Sequence, residues 1–556
     1  MPAHVRATLV IEGLDDDARR NVLAYVTMDS LDCNVPAWQI KRRFQDIDKG
    51  VGRALRALGY YTPQIRKTLL FNEDCWQAVL DITPGEQARY EAISVSVNGP
   101  AQTDPELLAV TQARPSQGDV VHHGRYSEYK KRLLQTLSAR GFLDYAVERA
   151  AVTVDEAGQK ATLELLINSG ERYRIGGVSV ANEIYDAALL SRFVTLASDQ
   201  YFDSVALARQ QQALASSDLF SAASVIADYE HARDGVIDVS IELTAVPKLG
   251  YFAGVGVTSD RGPRVSGGYR NRRVNSRGHQ FSADVQHSQV LSQVSARYRR
   301  PLANPLLEWQ TYELLIERED TQTSQSTAAR LGVERTRALP KDWLLSYGVR
   351  LGRTEFIVSD VEDTATLLMP VVSANRRVAD NQTNPRRGSA TDINVRLASE
   401  DVLSSTSFVQ LYARHKRVWP VGQRHRFSLR AEAGITWRDE ISELPPEIRF
   451  FSGGDDSVRG YAFESLGPVD SGGVVIGGSR LLAISAEYEH AITSQFAIAA
   501  FIDAGNAFDG SFVQLKRGAG VGFVWRSPVG PLRLYVGQPV SESGSPRLHV
   551  RFGADL

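Results

Sequence analysis

Phe427-Ser428-Leu429-Arg430-Ala431-Glu432-Ala433-Gly434-Ile435-Thr436-Trp437 alternates without a break. In a strand, successive side chains point to opposite faces. Phe427, Leu429, Ala431, Ala433, Ile435 and Trp437 therefore share one face, while Ser428, Arg430, Glu432 and Thr436 share the other. The last segment repeats the pattern, setting Leu548, Val550 and Phe552 against Arg547, His549 and Arg551. A charge facing lipid at the bilayer midplane costs roughly 2–4 kcal/mol. Arg430, Arg547 and Arg551 must then face a wet interior or sit near a rim. The pattern describes a wall between lipid and a polar lumen.

From Gly250 onward such segments recur between turns. They include Tyr251–Thr258, Gln280–Gln286, Thr311–Glu319, Leu344–Arg353, Phe408–Arg417, Leu481–Tyr488, Phe496–Gly505, Gly518–Trp525, Leu532–Val540 and Arg547–Ala554. About sixteen segments of about 8–13 residues, in about 300 residues, have the spacing of a transmembrane barrel. The predicted class for 248–556 is a 16-stranded antiparallel transmembrane β-barrel. A soluble sandwich or propeller would not present one apolar face on strand after strand. The mean hydropathy of -0.23 and the 43% hydrophobic content suit a wall in which only alternate residues meet lipid. No apolar run approaches the roughly 18 residues of a spanning helix. A net charge of -2 argues against a general nucleic-acid binder.

The chain before residue 247 repeats with a period of roughly 80 residues, the sign of a modular array. A helix end running into a strand anchors each unit: Leu55-Arg56-Ala57-Leu58-Gly59-Tyr60-Tyr61, then Leu137-Ser138-Ala139-Arg140-Gly141-Phe142-Leu143. Glycine at a helix C-terminus takes positive φ without a Cβ penalty. The third unit departs from this, with Asp218 in place of glycine. Strands such as Ile93–Val97 open the units, strands such as Thr162–Leu166 close them, and two helical stretches lie between. Cys33 and Cys75 both fall in the first unit. They form either a disulfide, if the chain is exported to an oxidising compartment, or two buried thiols. Met1-Pro2-Ala3 shows no charged n-region followed by an apolar run. An outer-membrane reading therefore requires that a secretory signal was removed.

Other motifs do not support chemistry. Gly518-Ala519-Gly520-Val521-Gly522 is strand alternation with small residues, because no helix follows to cradle a phosphate. His122-His123 lacks companion ligands. Arg272-Arg273 and Arg386-Arg387 read as solvated barrel rims, near anionic lipid, rather than as a nucleic-acid patch. No nucleophile, metal or cofactor site stands out, and no enzyme is expected.

Four motifs carry a family resemblance: Phe450-Phe451-Ser452-Gly453-Gly454 leading to Val458-Arg459-Gly460-Tyr461; Ser485-Ala486-Glu487-Tyr488; Phe501-Ile502-Asp503-Ala504-Gly505; and Ser527-Pro528-Val529-Gly530-Pro531-Leu532. In that order, and spaced for successive strands, they resemble the BamA/TamA superfamily of outer-membrane assembly proteins. Three repeats, rather than five or two, and the ending Phe552-Gly553-Ala554-Asp555-Leu556 make the chain most similar to the TamA group. The resemblance implies three POTRA-like β-α-α-β-β units over 1–88, 89–171 and 172–247, before a barrel over 248–556 with an inward-folded loop at 438–479. It implies a bacterial outer-membrane protein with its N-terminal repeats in the periplasm.

The implied function is insertion of autotransporters and other β-barrel clients, with an inner-membrane-anchored partner resembling TamB and with outer-membrane lipid. Two rival readings are the outer end of an envelope-spanning phospholipid conduit and a plugged secretion channel. The resemblance also sends the loop into the lumen, where Arg459 would meet the inner wall. Glu487 and Asp503 would supply charge and Phe501 a ring face, beside Gly505. The alternative is an ordinary solvated loop arginine. Finally, it implies a seam between first and last strands at which Gly250, Gly254, Gly256 and Gly553 form a candidate lateral gate. The alternative for those glycines is packing around a bulge.

Overall fold

A computed structural model describes residues 7–553, apart from 29, 73–74, 182–183, 439, 512–513 and 528–529. Pro528, Val529 and the terminal Ala554-Asp555-Leu556, part of the family motifs above, lie outside the described residues. The chain forms two compact bodies. One holds residues up to 181 with 196–212 and 224–242, and the other holds the remainder.

The first repeat runs β1 (Thr8–Glu12), α1 (Asp16–Tyr25), α2 (Ala37–Gln45), α3 (Ile47–Ala57), β2 (Gln64–Phe71) and β3 (Trp76–Thr83). Its helical stretch breaks at Asp46 into two helices, so this repeat carries one helix more than the sequence pattern suggests. The sheet order is β1-β3-β2, with β1 parallel to the central β3. Val22, Val51, Leu55, Trp76, Leu80 and Ile82 fill the core between helices and sheet. Cys33 and Cys75 are joined by a disulfide across 42 residues of sequence. The second repeat repeats the plan with β4 (Arg89–Asn98), α4 (Pro105–Gln112), α5 (His123–Ala139), β5 (Ala146–Val154) and β6 (Lys160–Asn168), in the order β4-β6-β5. The third comprises β7 (Arg174–Ala181), α6 (Ala187–Phe193), α7 (Ser204–Ala215), β8 (Phe220–Ala227) and β9 (Val236–Ala245), in the order β7-β9-β8.

Gly59 and Gly141 end their helices at φ +92° and +90°. A Cβ on Gly59 would fall 2.4 Å from the Val121 carbonyl oxygen, so backbone conformation and close approach both require glycine there. The histidine pair has structural work. His122 Nδ1 accepts the Arg125 N–H at 3.2 Å and caps α5, while the His123 ring pairs with the Tyr61 hydroxyl at 2.6 Å.

The second body contains a closed barrel of sixteen strands, each paired antiparallel with its sequence neighbour. They are β10 (Leu249–Thr258), β11 (Gly262–Asn271), β12 (Gln280–Ser288), β13 (Leu291–Pro301), β14 (Glu308–Asp320), β15 (Ser324–Leu339), β16 (Trp343–Val358), β17 (Val361–Ala379), β18 (Gly388–Ala398), β19 (Phe408–Val421), β20 (His425–Trp437), β21 (Arg480–Ala491), β22 (Phe496–Phe508), β23 (Lys516–Ser527), β24 (Gly530–Pro539) and β25 (Arg547–Phe552). Alternation sets the faces. On β22, Ile498 and Ile502 are exposed outward while Ala499, Phe501 and Asp503 are buried inward.

Strands β16 and β17 run to 16 and 19 residues, β16 well beyond the alternating segment Leu344–Arg353. Their extra length is stabilised inside. Phe356, Val358, Leu367 and Met369 pack against Leu444 and Ile448 of the loop that follows β20. Burying such side chains contributes roughly 1.5–3 kcal/mol each. That loop, residues 438–479, thus lies within the barrel rather than outside it.

Candidate functional site

Strand alternation aims Ser485, Glu487 and Glu489 of β21, Phe501 and Asp503 of β22, and Arg533 and Tyr535 of β24 at one patch of the inner wall. Arg459 of the loop enters that patch. Its Nε donates to Asp503 Oδ2 at 2.8 Å and its Nη2 to Oδ1 at 2.9 Å, a two-pronged fork. Its backbone N–H also donates to Asp503 Oδ2, at 3.0 Å. Nη1 donates to Glu487 Oε2 at 2.5 Å and Nη2 to Ser485 Oγ at 3.2 Å. The guanidinium carbon sits 3.6 Å from the centre of the Phe501 ring and 4.7 Å from that of Tyr535. Asp503 is wholly buried and Arg459 is 5% exposed. A charge so far from water requires paired, hydrogen-bonded partners, and both acids and both rings supply them.

The wall around this patch is built for the loop to lie close. Gly518, Gly520 and Gly522 of β23 all face inward. Cβ atoms there would fall 1.8 Å from the Arg459 carbonyl oxygen, 2.7 Å from the Phe501 ring and 2.2 Å from the Tyr535 ring. The small-residue run of the sequence is therefore a seat for the loop and its aromatic neighbours. Gly460, at φ +99°, turns beside the arginine, where a side chain would strike the Gln538 carbonyl. Val458 is buried with Tyr461 and Leu466.

Among the expected wall residues, Glu487, Phe501 and Asp503 gather on Arg459. Gly505 makes none of these contacts. It sits two residues along β22, where its missing side chain lets Ala483 of the neighbouring strand approach.

A second set of contacts involves Asp455 and Asp456, just before the motif. Asp455 accepts the Ser259 hydroxyl at 2.7 Å and pairs with His549 Nδ1 at 2.6 Å, while its backbone N–H donates to Asp260 Oδ2 at 2.7 Å. The Gly460 N–H donates to His549 Nε2 at 2.8 Å, so the imidazole carries its proton on Nδ1 and gives it to Asp455. Ser259 and Asp260 follow β10 in the turn to β11, and His549 lies on β25. One loop residue thus clasps both the first strand and the last. Asp456 meets Arg551 at 2.7 Å and Arg414 at 3.5 Å, with Arg430 at 3.8 Å. Burial pulls the Asp456 carboxyl up, but Arg551, Arg430 and Arg414 outweigh it and lower it, in water-screened surroundings. Burial, and then the neighbouring Asp455 charge, push Asp260 up to about 7.

The seam itself is thin. β10 pairs with β11 along its whole length but, among the described residues, meets β25 at one register pair, Thr258–Arg551. Two hydrogen bonds extend it, Ser259 N–H to Val550 O at 3.0 Å and Val550 N–H to Ser259 Oγ at 2.9 Å. The register of β10 against β11 is continuous, so its glycines do not sit at a bulge. Gly250, Gly254 and Gly256 instead make room for Arg272, Ser266 and Arg264 leaning over from the β11 side. Gly553 follows β25 at φ +141° and its N–H donates to Pro531 O at 3.2 Å.

Residues 274–554 match the Omp85 superfamily domain. The chain belongs to the Omp85 superfamily. Residues 8–84 of this Omp85 chain match the POTRA domain described as TamA domain 1. It is 25% identical over 224 residues to the outer membrane protein assembly factor BamA of Nitratidesulfovibrio vulgaris, covering 37% of this chain and 28% of that one. It is 26% identical over 213 residues to BamA of Neisseria meningitidis serogroup B, covering 31% and 26%. The match spans little more than a quarter of these curated relatives. In fold, the chain is similar to the crystal structure of Haemophilus ducreyi BamA lacking POTRA domains 1–3, with a TM-score of 0.70 at 14% identity, over 84% of this chain and 99% of that one.

Sequence reading did not find several residues of this Omp85 site. Tyr535, whose hydroxyl donates to Glu487 Oε1 at 2.9 Å, and Arg533, which bonds Glu489 at 2.5 Å, lie on the inward parity of β24 and were legible as inward-facing. The Asp455 clasp had no local signal.

Replacing Arg459 with Glu leaves the wholly buried Asp503 facing a new carboxylate, with Glu487 left to Arg533 at 3.4 Å and the Tyr535 hydroxyl, a change worth about 3–5 kcal/mol. The barrel should melt earlier in heat-modifiability gels, and pairing Arg459→Glu with Asp503→Arg should restore part of the loss. Equal melting of the wild type and the single variant would refute the ion cluster. A second outcome concerns pH. The carboxyl of Asp260 is raised in the folded state, facing Asp455, Asp456 and His549. Its contribution to the clasp is full below its ordinary value of 3.8 and is lost as pH climbs through about 7. Amide exchange at Val550, corrected for intrinsic rate, should quicken from pH 5 to pH 8, and Asp260→Asn should flatten that dependence.

Proposed function

We propose that this Omp85 chain is an outer-membrane assembly factor that assists insertion of autotransporters and other β-barrel proteins. The carrying observation is the seam, where, among the described residues, one register pair and a loop clasp join β10 to β25. Strand edges that pair at few described positions can serve as a template for an incoming strand, because edge hydrogen bonding is non-specific and strong in sum. Opening such a seam breaks few bonds. The three N-terminal repeats would lie in the periplasm, and each carries outer sheet strands able to take up an extended segment. In this reading they hold clients or an inner-membrane-anchored partner resembling TamB. The work needs no nucleotide, since client folding supplies the free energy. The loop with Arg459 acts as a latch that sets the inner wall, and Gly250, Gly254, Gly256 and Gly553 flank the gate.

Photo-crosslinkers at Val255 and Leu548, both outward-facing and exposed on the two seam strands, test this in cells carrying a stalled client barrel. Adducts to the client's terminal strands are expected from both positions and from neither of two control positions, Leu331 and Leu411, on β15 and β19. Adducts that are absent from the seam, or equal at the controls, would contradict it.

A further inference from the structure

The inner wall near the end at which β10 begins carries an array of arginines that neither the Arg459 cluster nor the seam uses. Across three neighbouring strands the register sets Arg270 of β11 opposite Ser282 of β12, and Ser282 opposite Arg297 of β13. One step nearer the rim, Gln280 faces Arg299, and Arg272 lies just beyond the end of β11. Strands lie about 4.8 Å apart, so the outer positions of the first row stand about 10 Å apart. Two guanidinium groups across that distance converge readily on one anion between them. The hydroxyl of Ser282 sits at the centre of the row.

The charge there is unbalanced. Arg299 is taken by Asp218 at 2.7 Å, and Arg297 by Glu313 at 2.7 Å with Asp284 at 3.6 Å. Among the described residues Arg270 meets no carboxylate, and it rests against the Phe252 ring, 5.3 Å from its centre. Arg272 likewise meets no carboxylate among the described residues and donates to the Pro247 carbonyl at 3.3 Å. Among the described residues Ser282 has no side-chain hydrogen-bond partner. These residues line one cavity of about 720 Å³, in which four arginines face two aspartates, Asp218 and Asp284. Elsewhere on the inner wall arginines such as Arg330, Arg426, Arg459 and Arg533 are held by carboxylates.

We propose that this cavity is an anion site that takes one phosphate group, held by Arg270 and Arg272 with the Ser282 hydroxyl. Arginine forks suit the tetrahedral oxygens of phosphate, and each charge-assisted bond adds more than a neutral one. The volume exceeds that of a phosphate ion and has room for the glycerol headgroup of a phospholipid beside it. The ligand chemistry is therefore a phosphate, whether free or esterified to lipid.

The test uses the full chain in neutral detergent and isothermal titration with two probes, dihexanoyl phosphatidylglycerol below its micelle threshold and inorganic phosphate. The wild type is expected to bind the lipid, and Arg270→Gln with Arg272→Gln to weaken it at least about tenfold, as the loss of charge-assisted bonds requires. Tighter binding of lipid than of phosphate assigns the headgroup as source, and equal binding assigns the free ion. Ser282→Ala removes only a hydroxyl, keeps the fold if the double variant fails, and should weaken the bound probe about threefold. Absence of binding to both probes, or wild-type affinity in the double variant and in Ser282→Ala, overturns the site.

Discussion

The fork between Arg459 and Asp503 is the interaction on which the barrel interior depends. A wholly buried carboxylate cannot remain ionised alone, and a guanidinium at 5% exposure cannot either. Each makes the other tolerable, and Glu487, Ser485, Phe501 and Tyr535 complete the shell. Such a pair, judged against an apolar replacement, need not add stability. What it does is fix position. Only one placement of the loop satisfies both ends of the fork, so the loop is held to a single seat on β21–β24.

That placement propagates. The loop backbone lies against Gly518 and Gly537, where no other residue fits. Four residues before the arginine stands Asp455, which the seat delivers to Ser259, Asp260 and His549. Its neighbour Asp456 meets three arginines from β19, β20 and β25. On the opposite wall Glu447 of the same loop takes Arg330 at 3.0 Å and Thr354 at 2.6 Å. A barrel whose two edge strands pair at one register position among the described residues is thereby also closed from within, by side chains of a loop.

The architecture was legible because it rests on a period. Two-residue alternation gave the faces of β20 and β25, and the glycine after each helix gave the repeats. Arg459 and its acids could be read because inward parity and family motifs pointed to the same residues. The clasp was not legible. Ser259 and Asp455 are 196 residues apart, and Asp455 and His549 are 94 apart. No local pattern couples them, since they meet only after the barrel has closed. What each glycine makes room for was not legible either, for a related reason. The role of Gly518, Gly520 or Gly256 is set by the atom standing opposite, and a sequence does not reveal what stands opposite. Gly505 shows the reverse case, sharing a face with Asp503 yet serving only the approach of Ala483.

The central claim is that the arginine latch holds the seam through the loop. Pulsed electron paramagnetic resonance between nitroxides at Val255 and Leu548 measures the seam directly. One narrow distance is expected for the otherwise native barrel. Arg459→Lys keeps the charge but loses the fork, and it should broaden that distribution although the residue touches neither seam strand. An unchanged narrow distance in Arg459→Lys, with the loop unseated, would contradict the account.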